Sequence, residues 1–416
     1  MADLASRVLA VLTPEAIGQT LMELVALPTV SANETPGQEH VAAWLDDAGL
    51  SVDRWTFSTG ALEGDPWFST EFERRDPVGV AGSTGGDDGP ALLLIGHIDV
   101  VPPGRPESWT TPPFEPSIRD GRVHGRGACD MKGGLAAQLH AVKAIVDAGV
   151  ELRGRVTVAS VVGEEDGGCG TLALLEHGVR GDAAIICEPT ELTVAPAVAG
   201  ALTFEIEVEG LSAHGCLREE GVSAIERMLP IHRAVLELEG RRNARAAEPL
   251  FDWLERPFAI CMGRISGGDW PSSEADWCRV EGRYGVTPDE DLEVARAELE
   301  QAVAAAARTD RWLRAHPPQV RWPGAQFFPA RTAVDAPVVR TVCAAHAAEV
   351  GDPVVRGMPY GCDMGITVGH SGIPTVVYGP GDIRQAHGPD EWVEFDDVVT
   401  CSRALVRTIL DFCGVA

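Results

Sequence analysis

Short apolar runs with β-strand character alternate with helical stretches through this chain, and a differently patterned segment interrupts them. Ala91–Ile95 (ALLLI), Val156–Val162 (VTVASVV), Ala183–Cys187 (AAIIC) and Thr375–Tyr378 (TVVY) read as buried strands. Leu135–Val146 and the stretch beginning Leu172–Leu175 read as helices between them. This alternation predicts an α/β architecture with a mixed, largely parallel sheet flanked by helices. From about residue 200 to 320 the pattern changes. Ala201–Glu209 (ALTFEIEVE) alternates apolar and polar, the mark of a half-buried strand. A helix over Glu220–Glu239, strands over Ala259–Ile265 and Trp277–Tyr284, and a helix over Asp289–Thr309 follow. The expected organisation is therefore a discontinuous domain, residues 1–199 and 321–416, carrying an inserted α+β domain, 200–320. The start of the chain reads as one amphipathic helix rather than a signal peptide, having Asp3 and Glu15 and no basic cluster. Gly82–Gly89 reads as a surface turn.

The chemistry-bearing residues fall at strand ends, where ligands of open α/β sheets bind. His97 and Asp99 follow the first run, Glu164, Glu165 and Asp166 the second, and Glu188 the third. His387 lies shortly after the fourth, and Asp130 precedes the helix at 135. Taken singly, each has a plain reading: a polar pair at a strand end, a solvated turn, an N-cap aspartate, a loop histidine. Taken together they form an oxygen and nitrogen donor set of the kind that an open, water-bearing zinc site uses. Adjacent carboxylates can also bridge two ions.

Composition narrows the partners. Acidic residues outnumber basic ones 62 to 34 over 416 residues, a formal charge of −28. Nucleic acid and anionic membrane are therefore not the expected partners, since phosphate binding needs a basic patch. The ten cysteines include no Cys-x-x-Cys pair, which argues against a thiolate zinc knuckle or a disulfide framework and fits reduced thiols in the cytoplasm. Cys129 and Cys187, beside two of the acids, read as small buried apolar residues. The chain has no Gly-Lys of a Walker loop and no Gly-x-Ser-x-Gly elbow, and Gly125-x-Gly127 lacks the third glycine of a dinucleotide fingerprint.

Segments LLLIGHIDVVP, WTTPPFEPSIRDGRVHGRGACDMKGG, GEEDGGCGT, EPT, SAHG and GIPTVVYGPG with AHGPDE together resemble the aminoacylase and carboxypeptidase family of di-zinc amidohydrolases, which includes acetylornithine deacetylases and succinyl-diaminopimelate desuccinylases. The resemblance runs from roughly residue 15 onward. It implies a di-zinc catalytic domain with an inserted lid that also makes a homodimer. By motif, His97, Asp130 and Glu188 would hold one zinc, and Asp130, Glu165 and His387 the other. Asp99 would support His97, Glu164 would be the general base, and His214 would stabilise the oxyanion from the partner subunit. A cis peptide is implied at Asp130–Met131. Two lid positions depart from the family: Gly267-Gly268-Asp269-Trp270-Pro271-Ser272-Ser273 is followed by Glu274-Ala275, and Ser223 stands where an asparagine is usual.

The implied activity is metal-dependent hydrolysis of the amide of an N-acyl amino acid. Zinc would lower the pKa of a shared water to about 7, and Glu164 would take its proton. Cobalt or manganese suits the same ligands. A dipeptidase or carboxypeptidase using the same site is the alternative, and a non-catalytic metal-binding paralogue the remaining one. Arg283 and Arg384 are candidate clamps for a substrate carboxylate.

Overall fold

The computed structural model describes residues 2–416 and resolves into two units. The first comprises 1–198, 330–358 and 362–416, the second 199–329 and 359–361.

A nine-stranded sheet organises the first unit. From one edge its order is Ser51–Thr56, Val78–Gly85, Arg155–Val161, Leu92–His97, Ala183–Ile186, Thr375–Val377, Val194–Val198 and Ala330–Arg331, and Val355–Met358 also pairs with Val194–Val198. Arg155–Val161, Leu92–His97, Ala183–Ile186 and Thr375–Val377 are mutually parallel. Beyond them the ladders are antiparallel, apart from the parallel pairing of Val355–Met358, so the sheet is mixed and parallel at its centre. Every residue from Val156 to Val161 is buried, as expected of a central strand covered on both faces. Helices Gly133–Asp147 and Phe395–Cys413 pack together over this centre, and Thr35–Asp47 and Cys169–Glu176 also pack against it. A separate three-stranded sheet joins Ser117–Arg119, Arg122–His124 and Trp392–Glu394.

The second unit is an antiparallel sheet centred on Gly200–Glu209 and Trp277–Val286, with Ile260–Gly267 at one edge. Its core sets Leu202, Phe204, Ile206 and Val208 against Met228, Ile231, Val235 and Leu238 of helix Ala224–Arg245 and Leu299 and Val303 of helix Leu292–Ala307. The unit extends beyond residue 320, because Gln319–Arg321 and Gln326–Phe327 both pair with Gly200–Glu209.

Other local expectations need correction. The amphipathic start is two helices, Ala2–Leu9 and Pro14–Ala26; Thr13 is extended and Pro14 opens the second, where its missing N–H costs nothing. The helix expected from Glu220 begins at Ala224, capped by Ser223, whose hydroxyl accepts from the Glu226 amide. Residues 82–85 complete a strand rather than a turn: a Cβ at Gly82 would meet Leu45 Cδ2 at 2.9 Å, so the glycine leaves room for the Leu45 side chain. Among the described residues no single helix is long and apolar enough to cross a membrane.

Candidate active site

The parallel centre aims its carboxyl ends at one place. His97 ends its strand, and Glu164 and Glu188 follow theirs within three residues. Asp130 reaches the same place from Ala128–Lys132, a distorted turn in which its own φ and ψ are non-helical and its peptide to Met131 is cis. It caps no helix. A Cβ on Gly134 would lie 2.0 Å from the Cys187 carbonyl, so glycine there lets the helix start close against the segment carrying Glu188. Cys129 and Cys187 are fully buried.

Asp130 divides its carboxylate. Its Oδ1 lies 3.1 Å from His97 Nε2 and its Oδ2 3.3 Å from His387 Nε2. Around His97 gather Glu188 at 3.7 Å and Glu164 at 4.0 Å, and His387 Nε2 lies 3.0 Å from Glu165 Oε2. Donor atoms of His97, Glu164 and Glu188 lie within 4.8 Å of one another, as do those of His97, Asp130 and Glu165. Glu164 and Glu165, adjacent in the chain, thus serve different neighbours. His97 donates from Nδ1 to the Asp99 carbonyl at 2.9 Å, which leaves Nε2 facing the acids. The support from Asp99 therefore comes through its main chain. Its carboxylate lies 3.7 Å from that nitrogen and accepts instead from the Glu165 amide.

The electrostatics are those of crowded, buried anions. Burial, reinforced by Glu188, drives the Glu164 carboxyl well above the usual range. Burial raises Glu188 to about 8 despite His97, and burial with the Asp130 charge raises Glu165. Asp130 goes the other way, because hydrogen bonds from His387 and His97 outweigh its burial. Loss of solvent would lower both histidines, although the His387 side chain stays 55% exposed. That effect is overcome at His97 by Glu188 and Asp130, and at His387, raised to about 11, by Asp130 and Glu165. Glu188 Oε1, Asp99 Oδ1 and Asp363 Oδ1 are among the buried atoms without a hydrogen-bond partner. Four carboxylates, two imidazoles and an orphaned Glu188 oxygen pointing at His97 fit divalent cations.

Two of the remaining expected residues, His214 and Arg283, belong to the second unit. His214 is exposed in the second unit, where its Nδ1 accepts from the Cys216 amide at 3.2 Å. Its segment is tied to the turn holding Trp270: the Gly215 amide donates to the Ser272 carbonyl and the Glu274 amide to Ala213. Arg283, also in that unit, donates to the Pro359 carbonyl at 2.9 Å. Arg384 is exposed, and its guanidinium pairs with Asp382 at 2.7 Å and Glu191 at 3.2 Å.

One residue and two pairings escaped the sequence reading. Asp363 is buried, its carboxyl raised to about 6 by burial, and its charge acts on both Glu164 and Glu188. It follows the strand Val355–Met358, so the strand-end rule finds it once that strand is recognised. Asp166 accepts from both terminal nitrogens of Arg74 at 2.6 and 2.9 Å, and from Thr70 and two loop amides. Glu391 and Arg126 form a buried pair beside Asp130.

The model of peptidase family M20/M25/M40 matches residues 93–411. The chain belongs to this family. Membership agrees with the resemblance read from the motifs and makes the chain a metal-dependent hydrolase of the amidohydrolase type. Relatives include the N-formyl-4-amino-5-aminomethyl-2-methylpyrimidine deformylase of Halalkalibacterium halodurans, 31% identical over 411 residues, covering 94% of this chain and 92% of that one. The acetylornithine deacetylase of Myxococcus xanthus is 31% identical over 418 residues, covering 97% and 99%. The family fold is also seen in human carnosine dipeptidase 1, with a TM-score of 0.74 at 15% identity over 98% of this chain and 99% of that one.

Proposed function

We propose that the chain hydrolyses the amide bond of small N-acyl amino acids, as a deacylase like the acetylornithine deacetylases. The observation that carries this reading is the divided carboxylate of Asp130, with Glu164 buried beside one half and apart from His387. That the two relatives described above remove formyl and acetyl groups favours a small acyl group over a peptide.

In this reading His97, Asp130 and Glu188 hold one cation and Asp130, Glu165 and His387 the other, with zinc the proposed metal. Bound there, such ions polarise the scissile carbonyl and lower the pKa of a water to about 7. Glu164 takes the attacking water's proton and returns it to the departing amine. Its burial suits it to that work, because loss of solvent, with the Glu188 charge beside it, raises the carboxyl above the usual range and so favours the form that has taken up the water's proton. Asp99 holds His97 in the tautomer that presents Nε2. His214, whose Nδ1 already accepts a hydrogen bond, carries its proton on Nε2 when neutral and donates it to the tetrahedral oxyanion.

The inserted domain is proposed as lid and dimer surface. Ile225, Leu229 and Leu236 share one exposed stripe of helix Ala224–Arg245, and Ile260–Gly267 is an edge strand carrying the exposed Ile265. A second copy that covers them buries both the stripe and the open strand edge. Ten free thiols accord with a cytoplasmic setting.

The test is release of primary amine from N-formyl-, N-acetyl- and N-succinyl-amino acids beside simple dipeptides, with a chelator control. Chelator-sensitive cleavage of one acyl class is expected. Cleavage of dipeptides alone makes the chain a peptidase, and silence across the panel contradicts the proposal.

A further inference from the structure

The three-stranded sheet brings together two segments that carry cation ligands. Trp392–Glu394 pairs antiparallel with Arg122–His124, and the contact continues as the Gly125 amide donates to the Glu391 carbonyl at 2.9 Å. At this junction lie Arg126 and Glu391, each 1% exposed. Their side chains meet at 2.5 Å. Glu391 Oε1 accepts from the main-chain amides of Cys129, at 2.9 Å, and Asp130, at 3.2 Å. The other guanidinium arm of Arg126 donates to the His387 carbonyl at 3.3 Å, and the group stands 5.2 Å over the Trp109 ring.

We propose that Arg126 and Glu391 are positioning residues that fix the distance between Asp130 and His387, and so set the affinity of the cation site those two share. One end of the pair holds the backbone of the bridging acid. The other end holds the backbone of the histidine. Neither residue carries a ligand atom in the scheme above. A change in either slides two ligands relative to each other, whereas His97 and Glu188 are held by their own strands. Outer partners of this kind typically alter metal affinity about 10- to 100-fold.

The inference rests on the two-ion reading, and the test separates them. Zinc is titrated into the metal-free, full-length protein against a chromophoric chelator, and the melting temperature of each metal-free variant is measured. The constant that disappears in His387→Ala identifies the site in question. Arg126→Lys keeps the charge opposite Glu391 but loses the second arm. Glu391→Gln keeps an acceptor for the two amides but loses the charge facing Arg126. Both are expected to weaken the His387 site about 10- to 100-fold and the other site, which shares Asp130, by less. Arg126→Lys, which keeps the buried charges paired, is expected to hold the metal-free melting temperature near wild type, and Glu391→Gln to lower it. Wild-type constants in both variants overturn the inference, as does equal weakening of both sites. A wild-type protein that takes up fewer than two ions overturns the two-ion reading itself, and the inference with it.

Discussion

Asp130 meets His97 with one carboxylate oxygen, Oδ1 to Nε2 at 3.1 Å, and leaves the other oxygen for a second histidine. Both residues are buried, and they come from unconnected parts of the chain, a strand end and a distorted turn. This contact joins the two halves of the site, and the expectations below depend on it.

Metal should stabilise the protein more at high pH than at low pH. Burial raises Glu188 from an ordinary 4.5 to about 8, and Glu164 also lies well above its usual range. In the metal-free protein these carboxyls keep protons that the unfolded chain releases above about 4.5. Stability therefore falls as pH rises from about 5 to 8. The raised His387 adds loss in the same direction, from its unfolded value of 6.5 upward. A cation replaces those protons. The gain in melting temperature on adding zinc, relative to chelator, should be larger at pH 8 than at pH 6. An equal gain at both would mean that these groups do not exchange protons for metal.

Arg74 and Asp166 should matter for stability out of proportion to their place near the surface loop 69–74. Their pair is buried, with side chains 2% and 1% exposed, and Arg74 also bonds Glu34 at 2.9 Å. Arg74→Met leaves two acids buried without their cation, and breaking such a pair costs about 3–5 kcal/mol. Urea unfolding at neutral pH measures this. A loss under about 1 kcal/mol, the range of surface pairs, would show that water reaches the group.

His214 should work across subunits. A mixture of Glu164→Ala and His214→Ala chains, each inactive alone, forms heterodimers in which one site has both its own Glu164 and a partner's intact His214. Partial recovery of turnover is expected. No recovery, with heterodimers demonstrated by mass, would place His214 in its own subunit's chemistry.

Much of this site was legible because the sheet obeys a simple rule. Buried parallel strands read as apolar runs, and ligands gather beyond their carboxyl ends, which located His97, Glu164, Glu165 and Glu188 from sequence. Asp130 and His387 joined the same set although neither directly ends a run, and the family resemblance supplied which cation each would hold. Pairings across the chain stayed hidden. Arg126 meets Glu391 across 265 positions and Arg74 meets Asp166 across 92, and no local pattern signals either. Asp363 was missed because its strand, Val355–Met358, includes Arg356 and Gly357 and lacks an apolar run. Gly82 and its neighbours looked like a turn because glycine signals both a bend and a close approach, and here Leu45 fills the space. Pro14 broke a helix that periodicity alone would have continued.

The most direct test of the account is Glu164→Gln, measured for metal content and turnover on the best substrate of the panel. Glu164 is assigned the proton and not the metal, so the variant should retain two ions per chain while turnover falls about 10²- to 10⁴-fold, the usual contribution of a general base. Near wild-type turnover, or loss of an ion together with activity, would contradict that assignment.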